Sequence, residues 1–128
     1  MTRVVQIIGA RAPLHITAVG KIFLAGDGPD GCAEYARRTG LPRFTENTLT
    51  DPARLAAEIE SIRQAGYALE NEEAERGVSC IGAGIHGDDG KLVAGLSVSA
   101  PSDRLDKRWA VRVKQTATEI SRAIGYRA

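Results

Sequence analysis

Apolar residues alternate with small or polar ones along Val78–Ile85 and again along Leu92–Ser99, and the turn signal GDDG (87–90) lies between the two runs. That pattern predicts a β-hairpin. With a loop of two or four residues, Ile85 faces Leu92, Ala83 faces Ala94, Ile81 faces Leu96, and Cys80 lies opposite Ser97. One face then carries Ile81, Ala83, Ile85, Leu92, Ala94, Leu96 and Val98. The other carries Cys80, Gly82, Gly84, Gly95, Ser97 and Ser99. A three-residue loop would break this parity.

A face of glycines cannot fill its own volume. Either another backbone packs close against it or a ligand does, and close packing is the commoner reason for strand glycines. The thiol and two hydroxyls at one end point instead to a pocket floor. Ser97 and Ser99, two residues apart on one strand, project the same way and can each donate to a small anion.

Elsewhere the period lengthens. RVVQII (3–8) reads as a strand closed by Gly9. After Pro13, Leu14–Gly26 reads as a mostly buried helix on Ala18, Ile22 and Ala25, flanked by Val19 and Phe23. Pro29–Gly40 reads as a second short helix, with Asp30 as a possible cap and Gly40 past its end. The third helix is better marked: Asp51 caps, Pro52 starts it, Leu55, Ile59 and Ile62 recur on one face, and Gly66 stops it. GYAL reads as a strand and ENEEAERG as a turn or loop. Asp106 is positioned to cap a last helix whose stripe is Leu105, Trp109, Val113, Ala117, Ile120 and Ile124, with Gly125 following. Mixed helices and a hairpin imply α/β or α+β with a largely antiparallel sheet.

Composition narrows the function classes. The 128 residues suit one domain, and 43% apolar with 26% charged residues is ordinary globular composition. A net charge of +1 supplies no electrostatic drive towards nucleic acid or an anionic membrane. No apolar run approaches the ~20 residues of a membrane span, and no secretory apolar segment follows Met1. The two cysteines, Cys32 and Cys80, have neither CxxC spacing nor a disulfide framework, so a reduced, cytoplasmic protein is expected.

Candidate chemistry is sparse. A catalytic Cys80 would need a base or a cation to lower its pKa, and no motif ties it to His15 or His86. His86 is expected in solvent at the hairpin tip, and His15 in a capping or packing role. Metal-site spacing is absent, so no metal and no cofactor is expected. Thr45, Asn47 and Thr48 suit turn and capping hydrogen bonds. Glu70, Glu72, Glu73 and Glu75 read as a solvated acidic loop, without the glycine-bearing spacing of an EF-hand. ARAPLH lacks GxxxxGK and GxGxxG, yet the helix after it offers unpaired N–H groups suited to a small carboxylate.

Several blocks, in order and at consistent spacing, carry a resemblance: APLHITAVGKIFLA, RFTENTLTDPARLAAEIESIRQAGYAL, NEEAERGVSCIGAGI, GKLVAGLSVSAPSDRL and EISRAIGY. From about Ala12 to Tyr126 the chain resembles the C-terminal effector-binding domain of the IclR family of bacterial transcriptional regulators. The resemblance implies an α+β, GAF-like domain with a central, mainly antiparallel sheet flanked by helices, spanning 1–128 as a single effector-binding domain without catalytic residues. It further implies a pocket on one sheet face for a small organic or aromatic acid, and a homo-oligomer, dimer or tetramer. DNA binding would rest on an N-terminal winged helix-turn-helix that lies outside these residues, as the family domain's first helix and strands are also expected to do. An incomplete sheet would favour oligomerisation or strand exchange. The effector-binding positions that carry over are Thr17, Ala18 and Val19 at the helix start, Glu70, Val78, Cys80, and the hydroxyls of Ser97 and Ser99. Glu70 stands where many relatives have aspartate, which would reshape the pocket, and ITAV replaces the more usual ATAL.

Overall fold

The computed structural model describes residues 11–127, and the RVVQII run lies outside them. A 3₁₀ turn at Leu14–Ile16 leads into α1 (Ala18–Thr39), followed by α2 (Pro52–Ala65), β1 (Ala68–Asn71), β2 (Val78–His86), β3 (Leu92–Pro101) and α3 (Trp109–Ala123). The three described strands form an antiparallel sheet in the order β1-β2-β3, which makes the architecture α+β.

Local signals explain most of the helix ends. Leu14–Ile16 is spent on the 3₁₀ turn, so α1 starts at Ala18 rather than Leu14, and the Thr17 hydroxyl accepts the Gly20 N–H at 2.9 Å. The two predicted helices follow end to end through a break at Gly28 (φ 83°, ψ 177°). Pro29 starts the second segment, where its missing N–H costs nothing; Gly28, rather than Asp30, stands at the break. Gly40 and Gly66 adopt the left-handed conformation and donate to Ala36 O and Ile62 O, ending α1 and α2. Asp51 caps α2 through a 3.1 Å bond from Ala53 N–H.

The sheet is covered on both sides. Against the face of Cys80, Gly82 and Gly84 lies α1, and α2 packs behind it. The resulting cluster joins Ala18, Ile22, Leu24, Tyr35, Leu55, Ile59 and Ile62. Burying each larger side chain contributes about 1.5–3 kcal/mol relative to exposure. Against the opposite face lies α3, where Ile81, Ala83 and Ile85 meet Ala110, Val113 and Ala117.

Four further expectations are corrected. The hairpin register is shifted by two residues: Ile81 pairs with Val98, Ala83 with Leu96, Ile85 with Ala94, and Cys80 with Ser99. A five-residue loop and an irregularity between Ile85 and His86 cause the shift. An even shift preserves which residues share a face, except that Leu92 pairs with His86 and joins the glycine face. In α3 the buried stripe is Ala110, Val113, Ala117 and Ser121, whereas Trp109 and Ile124 are 38% and 51% exposed. Small residues bring α3 close to β2, and the Ser121 hydroxyl accepts the His86 N–H at 3.0 Å while donating to Ala117 O. Asp106 accepts the Arg108 N–H in the turn before α3 instead of capping the helix itself. Finally, the acidic loop is not solvated throughout: Glu70 and Glu73 are buried.

Candidate functional site

The glycine face has two parts. At Gly82, an added Cβ would lie 3.0 Å from Ala18 Cβ, and at Gly95 it would lie 2.4 Å from a Val19 methyl. These glycines therefore let the start of α1 sit directly on the sheet. The hydroxyl end is different. There, Cys80, Ser97 and Ser99 line an open cleft of about 360 Å³ with Ala12, Leu14, Phe23 and the first turn of α1, Thr17–Gly20.

The cleft wall is built by a tight local turn. Gly20 lies so close to the preceding segment that an added Cβ would be 2.3 Å from Leu14 O and 2.6 Å from Leu14 Cα. Thr17 takes the Gly20 N–H, while the Ala18 and Val19 N–H groups belong to the first turn, where the helix offers no acceptor. Ala18 and Val19, at the positive end of the helix dipole, line the same cleft as the two serines. The Leu14–Ile16 turn is fixed from behind by Tyr35, whose hydroxyl accepts the Leu14 N–H and bonds His15 Nδ1, both at 2.9 Å. His15 Nε2 donates to Pro42 O at 2.9 Å, which sets the tautomer. His15 is thus a buried scaffold residue. His86 is half-buried beside the Tyr126 ring, 5.4 Å between centroids, rather than free in solvent.

Behind the cleft floor lies a buried polar cluster. Lys21, fully buried on α1, forms a 2.6 Å ion pair with Glu73 and reaches Leu69 O at 3.4 Å. That ammonium is the partner of Glu73 Oε1, which makes no other hydrogen bond. Glu73 Oε2 accepts the Asn71 N–H, and Glu70 Oε2 accepts the Glu73 N–H, each at 2.8 Å. The hydroxyls of Thr45 and Thr48 donate to Glu72 O and Glu73 O at 2.6 and 2.7 Å, and Asn47 donates to Asn71 O, so the 40–50 loop clasps the acidic one. Glu70 pairs with Cys80 across β1 and β2, and Cys80 Sγ lies 3.0 Å from Ser99 Oγ. Burial pushes the Glu70 carboxyl above the ordinary range, partly offset by the Glu73 N–H. Burial also pushes the Cys80 thiol up to about 11; Ser99 opposes the rise and the Glu70 charge adds to it. The thiol is protonated at neutral pH, the reverse of an activated nucleophile.

A second cleft of about 350 Å³ lies along the 43–58 region, but Arg43 there is already bonded to Thr45 O, Glu46 O and Thr50 Oγ1. Among the described residues, no three His, Cys, Asp or Glu side chains are grouped to hold a metal ion, and no helix is long and apolar enough to cross a membrane.

Residues 1–126 match the family model for the bacterial transcriptional regulator IclR C-terminal domain. The chain belongs to the IclR C-terminal family. The transcriptional repressor AllR of Escherichia coli K12 is 36% identical over 132 residues, covering all of this chain and 49% of AllR. The crystal structure of Thermotoga maritima IclR superposes with a TM-score of 0.86 at 37% identity, over 96% of this chain and 51% of that one. The inducer-binding domain of Acinetobacter PobR, solved as a double mutant with 3-hydroxybenzoic acid, gives a TM-score of 0.80 at 28% identity, over 88% of this chain and 69% of that one. This IclR-type domain spans about half the length of the curated relatives it matches.

Of the positions singled out in the sequence of this IclR-type domain, Thr17, Ala18, Val19, Cys80, Ser97 and Ser99 line one cleft. Glu70 stands behind Cys80, and Val78 is buried at the start of β2 opposite Pro101; neither lines the cleft. Gly20, Lys21 and Glu73 were not legible as site components. The spacing of Lys21 from Ala18 places it on the buried side of α1, but a lysine on a helix ordinarily marks the solvent side.

Proposed function

We propose that this chain is the ligand-sensing module of an IclR-type transcriptional regulator and binds a small organic acid in the cleft between α1 and the hydroxyl end of β3. One observation carries the proposal: the first-turn N–H groups of α1 and the Ser97 and Ser99 hydroxyls border the same cleft, a pairing suited to a carboxylate. Thr17, Ala18 and Val19 receive the carboxylate, Ser97 and Ser99 donate to it, and Cys80 and Phe23 flank the remainder of the ligand. Glu70 acts from behind Cys80, and Val78 holds the start of β2. The likeness to PobR, an inducer-binding domain complexed with an aromatic hydroxy acid, supports this ligand class.

In the intact bacterial regulator, working in the cytoplasm, a separate N-terminal winged helix-turn-helix binds DNA. The ligand acts by favouring one arrangement of a dimer or tetramer over another.

The test is a thermal-shift screen with pyruvate, lactate, benzoate and 3-hydroxybenzoate, with Ser97→Ala/Ser99→Ala as control. An acid at about 100 times its dissociation constant adds about 2.7 kcal/mol, a rise of several degrees. A shift lost in the control supports the site, whereas an unchanged shift removes the serines from it.

A further inference from the structure

Counting charge behind the cleft floor gives an excess. Two carboxyls, Glu70 and Glu73, are buried with one ammonium, Lys21. Lys21 makes its 2.6 Å ion pair with Glu73, and among the described residues Glu70 has no ion pair of its own. The ionisable groups facing Glu70 are Lys21 from α1, Glu73 from the following loop and Cys80 from β2. With both carboxyls ionised the cluster holds one uncompensated negative charge, away from water and one strand behind the cleft.

A carboxylate entering the cleft brings a second negative charge to the same region. Paired residues on neighbouring strands have Cβ atoms about 4.5–5.5 Å apart, so Glu70 stands directly behind the Cys80 side chain that lines the cleft. Two like charges separated by protein rather than water repel strongly, and the cheapest relief is to protonate one of them. The Glu73 carboxyl already has the Lys21 ammonium at 2.6 Å as its partner. Cys80, at about 11, already carries its proton throughout the neutral range. Glu70 is the group left to respond.

Resting on the ligand-sensing reading above, we infer that the cleft takes its carboxylate ligand together with one proton, held on Glu70. The binding site is then selective for a monoanion accompanied by a proton, and ligand response rises as pH falls. Glu70 is a positioning and linkage residue: it acts through Cys80 and the local field.

The experiment is calorimetric titration of the wild-type protein with whichever of the four screening acids gives the largest shift, from about pH 5 to about pH 8, where these acids remain ionised. Repeating each titration in two buffers of different ionisation enthalpy counts the protons. Net uptake is expected, with affinity weakening by up to about tenfold per pH unit in the steepest region. In Glu70→Gln, which keeps an acceptor for the Glu73 N–H, the uptake and slope vanish. Wild-type binding without proton uptake overturns the inference, as does an equal slope in Glu70→Gln. If that variant fails to fold, the wild-type proton count still decides. Binding by none of the four acids at any pH is a different failure, striking the ligand-sensing reading and this inference together.

Discussion

Replacing Gly20 with alanine should destabilise the protein, although helix propensity alone argues the opposite. A glycine inside a helix is about 0.8–1 kcal/mol worse than alanine, so the substitution would normally stabilise. Here the new methyl would sit 2.3 Å from Leu14 O and 2.4 Å from Thr17 Oγ1. A flexible side chain cannot swing away to relieve this, because Leu14 presents backbone that is fixed by Tyr35. Overpacking of this kind costs about 1–3 kcal/mol, and displacing the Thr17 cap adds about 1. Subtracting the propensity gain leaves a net loss of roughly 2 kcal/mol. Gly26→Ala is the control: it lies in the same helix, and its added methyl meets only the end of Leu92 at 3.3 Å. Urea unfolding should show a lower midpoint for Gly20→Ala with an unchanged slope, while Gly26→Ala stays at or above wild type. A Gly20→Ala protein as stable as wild type would refute the account of how the cleft wall is built.

Other expectations follow from the buried polar groups. Lys21→Met strands Glu73 without its cation and should cost about 3–5 kcal/mol, with much of the loss recovered in Lys21→Met/Glu73→Gln, as read by urea unfolding. Equal losses in single and double variants would contradict the pair. The raised Glu70 carboxyl stabilises the fold when protonated, a contribution complete below about 4.5 and lost as pH rises through its higher folded value. Unfolding free energy of wild type should therefore fall relative to Glu70→Gln as pH climbs from there, and parallel curves would count against this. With its thiol at about 11, Cys80 should be alkylated by iodoacetamide far more slowly than a free cysteine at neutral pH; a fast reaction would revive the nucleophile.

Sequence by itself determined the local features of this protein. Asp51, Pro52, the Leu55–Ile59–Ile62 spacing and Gly66 specify α2 without help from elsewhere, since caps and periodicity act within a few residues. Strand alternation likewise set which hairpin residues share a face, and that parity survived a two-residue shift of register. The irregularity at Ile85–His86 left no mark in the sequence, so the register itself and the placement of Leu92 did not follow. The start of α1 and the small polar strand positions were each readable from local pattern; their meeting at one cleft followed only from the family resemblance, because periodicity carries no information on which distant segments pack together. Tertiary structure alone decided what fills the glycine face, with α1 covering Gly82 and Gly95 and leaving the hydroxyl end open. It also decided the fate of the charges. Lys21 and Glu73 look like surface residues until a contact spanning the middle of the chain supplies each with its partner, because burial of a charge depends on compensation from segments that only folding brings together.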